Sequence, residues 1–178
     1  MTETRTFKYF DDPHSNAEFT DHVCQVCGSK EHCLEGEYFD RGDEVISICI
    51  TCLQQGTVTV NIPDFIKRKI ESVQDSKEAK KSLDVLSQTP PVPWIQYNDW
   101  AVCCGDFGMY IGEWSADKLM QQSPDGNGMM YLMSILDEFS AGKIQDPELF
   151  WQAVGRNTSI FMFECLSCNK RIAVAQSY

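Results

Sequence analysis

Cys24-Gln25-Val26-Cys27-Gly28 and Cys49-Ile50-Thr51-Cys52 decide the fold of the first part of this chain. A two-residue gap lets both sulfurs of a pair point at one ion, and the loop between the pairs brings the second to the first. Tetrahedral thiolate coordination is typical of Zn²⁺. We predict a zinc site formed by Cys24, Cys27, Cys49 and Cys52, structural because no position is left for water. An iron–sulfur centre or redox dithiols are the alternatives.

A second set of four cysteines lies further along the chain. Cys165 and Cys168 form another pair with a two-residue gap, and the pair left for them is the adjacent Cys103 and Cys104. Neighbours in an extended strand point to opposite faces, so both bind one ion only in a turn or bulge, which Gly105 favours. We predict a second zinc site from these four cysteines. The alternatives are that one of the adjacent pair packs as a small apolar residue, or that the set is a redox dithiol.

The ninth cysteine and the histidines are left without metal in this interpretation. Cys33 matches no pair and is predicted to be a free thiol. His22 and His32 lie near the first quartet and either could replace a cysteine, but we expect them at the surface or behind the ligands.

The N-terminal segment, residues 1–64, is predicted to be a zinc-ribbon-like module. Short β-prone runs at 37–39, 45–48 and 57–62 are separated by turn formers such as those at 40–43. We therefore expect small antiparallel β structure around the first quartet.

The rest of the chain divides into a helical connector, residues 65–89, and an α+β module, residues 90–178. Apolar residues recur at helical spacing through the connector, with a new N-cap expected at Ser76, until a proline-rich stretch ends it. In the last segment a helix is expected to begin at Asp146-Pro147, and the end of the chain reads as a β-hairpin around Cys165 and Cys168. The predicted fold class is therefore α+β, with two modules that each contain a cysteine cluster.

The composition and the net charge exclude some classes of protein and disfavour some partners. The chain has 178 residues, is 43% hydrophobic and carries a formal net charge of −11. No apolar run is long enough for a membrane span and no secretory signal is recognisable, so we expect a cytoplasmic protein without membrane contact. A negative field of this size repels phosphate backbones and disfavours nucleic acid as a partner.

Several motifs together resemble those of the CbrC-like proteins, a family of uncharacterised bacterial proteins. The stretches that carry the resemblance are Phe7-Lys-Tyr-Phe-Asp-Asp-Pro13, Cys24-x-x-Cys27-Gly28, Tyr38, Cys49-x-x-Cys52, Gly56, Pro93-Trp94-x-Gln96, Trp100, Cys104-Gly105-Asp106, Tyr110-x-Gly112, and Phe163-x-Cys165-x-x-Cys168 with Arg171. The resemblance implies a cytoplasmic, metal-binding protein linked to colicin tolerance, with relatives that resemble immunity proteins. A departure is Asn169, which stands where a knuckle glycine is expected, although asparagine also tolerates the left-handed conformation.

The sequence gives no indication of an enzyme. It lacks a Gly-x-Ser-x-Gly elbow, a phosphate-binding loop, a dinucleotide fingerprint and a His-Glu-x-x-His motif. The leading hypothesis is a non-enzymatic, zinc-stabilised acidic protein that binds and neutralises another protein, such as a basic toxin. The alternative is a zinc- or thiol-responsive stress sensor that uses the C-terminal cysteine cluster.

Overall fold

The computed structural model describes residues 7–40 and 44–178, so of the turn expected at 40–43 the last three residues lie outside the described residues. Short helices surround small antiparallel sheets, which confirms the α+β class. In chain order the elements are α1 (Pro13–Asn16), β1 (Cys33–Glu35), β2 (Ser47–Cys49), α2 (Ile50–Gln54), α3 (Asp64–Glu71), α4 (Ser76–Ser87), β3 (Val102–Cys103), β4 (Asp106–Phe107), β5 (Met109–Glu113), α5 (Ala116–Gln122), α6 (Gly128–Ile135), α7 (Glu138–Lys143), α8 (Pro147–Ala153), β6 (Thr158–Glu164) and β7 (Arg171–Ser177).

A three-stranded antiparallel sheet in the order β5-β6-β7 is the centre of the fold. Alternate side chains of a strand point to opposite sides of the sheet. In the middle strand, β6, the side chains on both sides are buried, so each face of this strand packs against a core. Phe161 and Phe163 belong to a core shared with the N-terminal part of the chain. Ile160 and Met162 face a second core, which α5, α6 and α8 help to form. The predicted C-terminal hairpin is thereby confirmed as β6 and β7.

The N-terminal part differs from the predicted strand pattern. In this part of the chain, a two-stranded sheet pairs β1 with β2. The run at 37–39 is mostly a 3-10 turn, and the run at 57–62 contributes a single bridge to Phe39. Gly36 explains the turn, since a Cβ there would overlap the Val45 carbonyl. The close backbone approach therefore turns a β-prone run away from the sheet.

The connector forms two helices, α3 and α4, as the new N-cap expected within it implies. Ile66 and Ile70 of α3 are fully buried, whereas Phe65 and Val73, which the same apolar spacing places on one face with them, are exposed. Asp75 is the N-cap of α4, because its side chain accepts hydrogen bonds from the N–H groups of Lys77 and Glu78. The cap predicted at Ser76 is therefore wrong by one residue, and Ser76 is instead the first residue of the helix.

The larger core draws buried residues from all three predicted segments. Leu53 from the first, Ile66 from the connector and Phe163 from the last belong to one cluster. The capping prediction for α8 is also confirmed, since Asp146 accepts hydrogen bonds at the helix start with proline in its first turn. The division of the chain into segments stays a prediction about folding units.

Candidate metal centres

The first quartet comes together in the structure. The sulfurs of Cys24, Cys27, Cys49 and Cys52 all lie within 4.8 Å of one another, and the Sγ atoms of Cys27 and Cys49 are 3.6 Å apart. Four sulfurs at about 2.3 Å from one ion would be spaced by about 3.8 Å along each edge of a tetrahedron. The group therefore fits a single tetrahedral ion.

The first pair of this quartet sits in a tight turn that we call the first knuckle, residues 24–29. The N–H of Gly28 donates to the Cys24 carbonyl at 2.9 Å, and the N–H of Cys24 donates to the Ser29 carbonyl at 2.8 Å. Gly28 has a φ of 74°, a conformation that glycine adopts without steric cost. The turn points both sulfurs to one side.

The second pair of this quartet lies where a strand passes into a helix. Cys49 is the last residue of β2 and also the N-cap of α2, and Cys52 lies in the first turn of that helix. Both side chains are buried, as is Cys24, while Cys27 is exposed. Three of the four sulfurs therefore lie inside the core.

The second quartet is also brought together. The sulfurs of Cys103, Cys104, Cys165 and Cys168 lie within 4.8 Å of one another. The Sγ atom of Cys103 is 3.8 Å from that of Cys104 and 3.8 Å from that of Cys168. This spacing again matches the edge of a tetrahedron around one ion.

The second knuckle, residues 165–170, repeats the hydrogen bonds of the first. The N–H of Asn169 donates to the Cys165 carbonyl at 2.9 Å, and the N–H of Cys165 donates to the Lys170 carbonyl at 2.9 Å. Asn169 has a φ of 58°, so it occupies the left-handed position that Gly28 holds in the first knuckle. The expectation that asparagine serves here in place of glycine is confirmed.

A two-residue hairpin turn brings the side chains of the adjacent Cys103 and Cys104 together. Cys103 in β3 pairs with Asp106 in β4, and the two residues between them, Cys104 and Gly105, have φ values of 52° and 77°. Positive φ at both central residues is the pattern of a type I′ turn. The turn predicted from Gly105 is confirmed, and it lets two neighbouring side chains reach one point.

Side chains from elsewhere hold this turn in place. Gln74, which follows α3, donates its amide N–H to the Gly105 carbonyl at 2.7 Å. Asp106 accepts a hydrogen bond from the Tyr9 hydroxyl at 2.7 Å and forms an ion pair with Lys8 at 2.7 Å. The sequence pattern missed these supports because they come from distant positions, although the charged Asp106 directly after Gly105 was a local signal.

Backbone amides favour the thiolate form of the first cysteine in each knuckle. Burial raises the pKa of the Cys24 thiol, but hydrogen bonds from backbone N–H groups, that of Cys49 foremost, outweigh it and lower the pKa to about 6. At Cys165 burial again raises the pKa, and the N–H groups of Cys168 and Ser167 lower it to about 6. Each site thus has one thiolate prepared by the fold.

The neighbouring thiols resist ionisation for an electrostatic reason. Burial raises the pKa of Cys52, and the other cysteines of its site raise it further. Burial and the sulfurs of Cys165, Cys104 and Cys168 together raise the pKa of Cys103 to about 12. A bound dication would remove this mutual repulsion, so the chemistry of the donor set fits a soft divalent metal.

Cys33 and the histidines lie outside both quartets. Cys33 is fully buried in β1, and its thiol donates to the Ser29 carbonyl at 3.3 Å behind the first knuckle. His32 is hydrogen-bonded to His14 at 3.0 Å, and His22 contacts Glu35 at 3.8 Å. None of these four residues belongs to either metal-competent group in the described part of the chain.

None of the helices within residues 7–40 and 44–178 combines the length and the apolar character that crossing a membrane requires.

A model of an uncharacterised protein family, UPF0167, matches residues 4–176. Comparisons with curated proteins and with solved structures returned no match. The chain therefore belongs to this uncharacterised family.

Proposed function

We propose that this protein is a non-enzymatic, zinc-stabilised acidic protein that binds and neutralises another protein, in toxin tolerance or immunity. The observation that carries the proposal is the pair of four-sulfur groups, each spaced for one ion. At each site the four protein sulfurs would fill all four positions of a tetrahedral ion, which leaves none for a reacting water. In this proposal the metal ions stabilise the fold, and the surface of the protein outside the two sites binds the partner.

The donor chemistry supports zinc as the ion. Four thiolates in a tetrahedron suit Zn²⁺, which has no geometric preference of its own and no redox chemistry. A cluster of several irons would spread its cysteine ligands over more than one metal. The sulfurs here lie within 4.8 Å of one another, which favours a single ion at each site.

The charge of the chain supports a basic protein as the partner. The formal net charge is −11 and the isoelectric point is near 4.6. Nuclease toxins are basic because their substrate carries phosphate, so an acidic antagonist is steered towards them and covers the same surface. The CbrC-like resemblance, with its link to colicin tolerance and immunity, points in the same direction. We place the protein in the bacterial cytoplasm, where unpaired thiols remain reduced.

A second candidate function rests on the second quartet. Cys104 and Cys168 are exposed, whereas three of the four sulfurs of the first quartet are buried. Exposed thiolates exchange metal and react with oxidants more readily. Loss of this ion under mild oxidation would release the knuckle between β6 and β7, which is the action of a zinc- or thiol-responsive stress sensor.

Expression of the protein together with the product of a neighbouring toxin-like gene tests the leading proposal. We expect cell survival, and a complex in size-exclusion chromatography that weakens as salt rises, because steering is screened. Lack of protection together with lack of a complex would contradict the proposal. Release of zinc by dilute peroxide without any protection would favour the sensor.

A further inference from the structure

Two imidazoles meet at the surface of the N-terminal part of the chain, and we call them the histidine pair. His14 lies in α1, His32 directly precedes β1, and both side chains are exposed. The Nδ1 atom of His14 is 3.0 Å from the Nε2 atom of His32. Neither residue belongs to a four-cysteine group, so the pair is a separate cluster of metal-ligating side chains.

The spacing of the two nitrogens suits a single metal ion. An imidazole nitrogen binds zinc at about 2.0–2.1 Å, so two of them at a right angle around one ion lie about 3 Å apart. A head-on hydrogen bond of this length would hold the ring centres about 5 Å apart. The centres are in fact 4.2 Å apart, with 76° between the ring planes. The two nitrogens therefore meet at an angle, as two ligands of one ion do.

The backbone that carries the histidine pair has an uncommon conformation in both segments. His32 has a φ of 52°, and Asp12, two residues before His14, has a φ of 37°. Residues other than glycine adopt such values at a cost, and they concentrate at functional sites. Phe19 orients one of the rings, since its ring centre is 5.0 Å from that of His32. The fold therefore holds the imidazoles together against a local conformational preference.

The histidine pair joins two parts of the molecule. The segment before α1 is attached to the central sheet, where the N–H of Asp11 donates to the Tyr110 carbonyl at 2.8 Å. His32 is attached to the two-stranded sheet region, because its carbonyl accepts a hydrogen bond from the N–H of Ile50 at 3.0 Å. An ion bound by both imidazoles would crosslink these two parts and stabilise the folded state.

We propose that the histidine pair binds a divalent transition-metal ion, such as Zn²⁺, through Nδ1 of His14 and Nε2 of His32. Neutral imidazole is a good ligand for zinc, nickel and copper. In the described part of the chain no third histidine, cysteine or carboxylate lies within 4.8 Å of both nitrogens, so water completes the coordination. The site is thus open and exchangeable, in contrast to the two quartets. It goes beyond the proposed function, since it requires no protein partner.

Binding of the ion changes a tautomer without a net loss of a proton. In the neutral, metal-free pair, one of the two facing nitrogens carries the hydrogen of the hydrogen bond. When the ion binds both facing nitrogens, that hydrogen moves through water to the other nitrogen of the same ring. The bound state therefore has Nε2–H on His14 and Nδ1–H on His32, which ¹⁵N NMR spectra of the imidazoles distinguish.

Calorimetric titration of Zn²⁺ into zinc-loaded protein tests the site. We expect the wild type to bind one further equivalent. His14→Gln and His32→Gln should each weaken this binding by about tenfold or more, because loss of an outer-shell partner alone costs about tenfold. His22→Gln is the matched control, an exposed histidine outside the pair, and should bind as the wild type does. Absence of the further equivalent, or equal binding in all three variants, would overturn the proposal.

Two measurements on the wild type test the same site without depending on a substitution. We expect added Zn²⁺ to shift the ¹⁵N signals of His14 Nδ1 and His32 Nε2 together, while those of His22 stay in place. We also expect Zn²⁺ to raise the Tm of the wild type, and to leave that of His14→Gln unchanged because the crosslink needs both rings. Shifts at one ring of the pair only, or an unchanged Tm of the wild type, would contradict a shared ion.

Discussion

Each of the two four-cysteine groups consists of two cysteine pairs; one pair has the same structure in both groups, and the other pair does not. Both knuckles have the same two backbone hydrogen bonds and a left-handed residue after the second cysteine, Gly28 in one and Asn169 in the other. The first group is completed by a strand end and a helix start inside the core, and the second by a two-residue hairpin turn at the surface. The knuckle is thus a local structure that occurs twice in the chain. The burial of the cysteine side chains depends instead on the strands, helix or turn that supply the other pair of each site.

The difference in burial implies a difference in what each ion does. Cys24, Cys49 and Cys52 belong to the same buried cluster as the central sheet. Cys104 and Cys168 are exposed, and the knuckle in which Cys168 lies is the end of a hairpin whose strands pair along their full length without it. We expect the first ion to be required for folding and the second to stabilise one end of the molecule.

Loss of a buried ligand should have the largest effect. We expect Cys49→Ser to unfold the N-terminal part, since structural zinc contributes about 10–16 kcal/mol in finger peptides, comparable to the stability of a whole domain. Circular dichroism during thermal unfolding measures the effect. Cys33→Ser is the matched control at another buried cysteine, and we expect it to fold; similar behaviour of the two variants would contradict the ligand assignment.

Loss of an exposed ligand should be milder. We expect Cys168→Ser to bind one zinc instead of two and to remain folded, with a lower Tm, because β6 and β7 stay paired and the first site is intact. Zinc content by elemental analysis and a melting curve of the same sample provide the measurement. Unfolding as complete as that of Cys49→Ser would remove the proposed difference between the sites.

The supports of the hairpin turn should act on the second site alone. Asp106→Asn removes the ion pair with Lys8 and weakens the hydrogen bond from Tyr9, which we expect to cost about 1–3 kcal/mol. Urea unfolding measures the loss, and zinc release to a chelator should be faster for one of two equivalents. Asp84→Asn, at an exposed position of α4, is the control and should change neither quantity.

An exchange of the left-handed residues should have the smallest effect. Because Gly28 and Asn169 occupy equivalent positions, we expect Asn169→Gly to be neutral or slightly stabilising and Gly28→Asn slightly destabilising, by less than about 1 kcal/mol each. Denaturant midpoints of the two variants provide the comparison. A large loss in Gly28→Asn would mean that the knuckles are less alike than their hydrogen bonds suggest.

Local signals in the sequence predict the local parts of this fold. The cysteine spacing predicts both groups of sulfurs, Gly105 predicts the turn that joins the adjacent cysteines, and Asp146-Pro147 predicts the start of α8. The turn and the helix start depend on residues within a few positions of one another, and each group of sulfurs is built from short cysteine pairs whose shared need for one ion brings distant segments together.

Features that depend on distant contacts were not predictable in the same way. The run at 37–39 is β-prone but becomes a turn because Gly36 packs against the backbone of Val45. Asp75 and Ser76 are both good N-caps, and it is Asp75 that accepts the hydrogen bonds at the start of α4. The exposure of Cys104 depends on how the segments pack, which no local pattern encodes.

A native mass spectrum of the untagged protein, compared with its denatured mass and combined with elemental analysis, tests the central claim most directly. We expect two zinc ions per chain, one in each group of four sulfurs. A single zinc would contradict the second site and leave Cys103, Cys104, Cys165 and Cys168 as thiols. Iron or no metal would contradict the account for both sites.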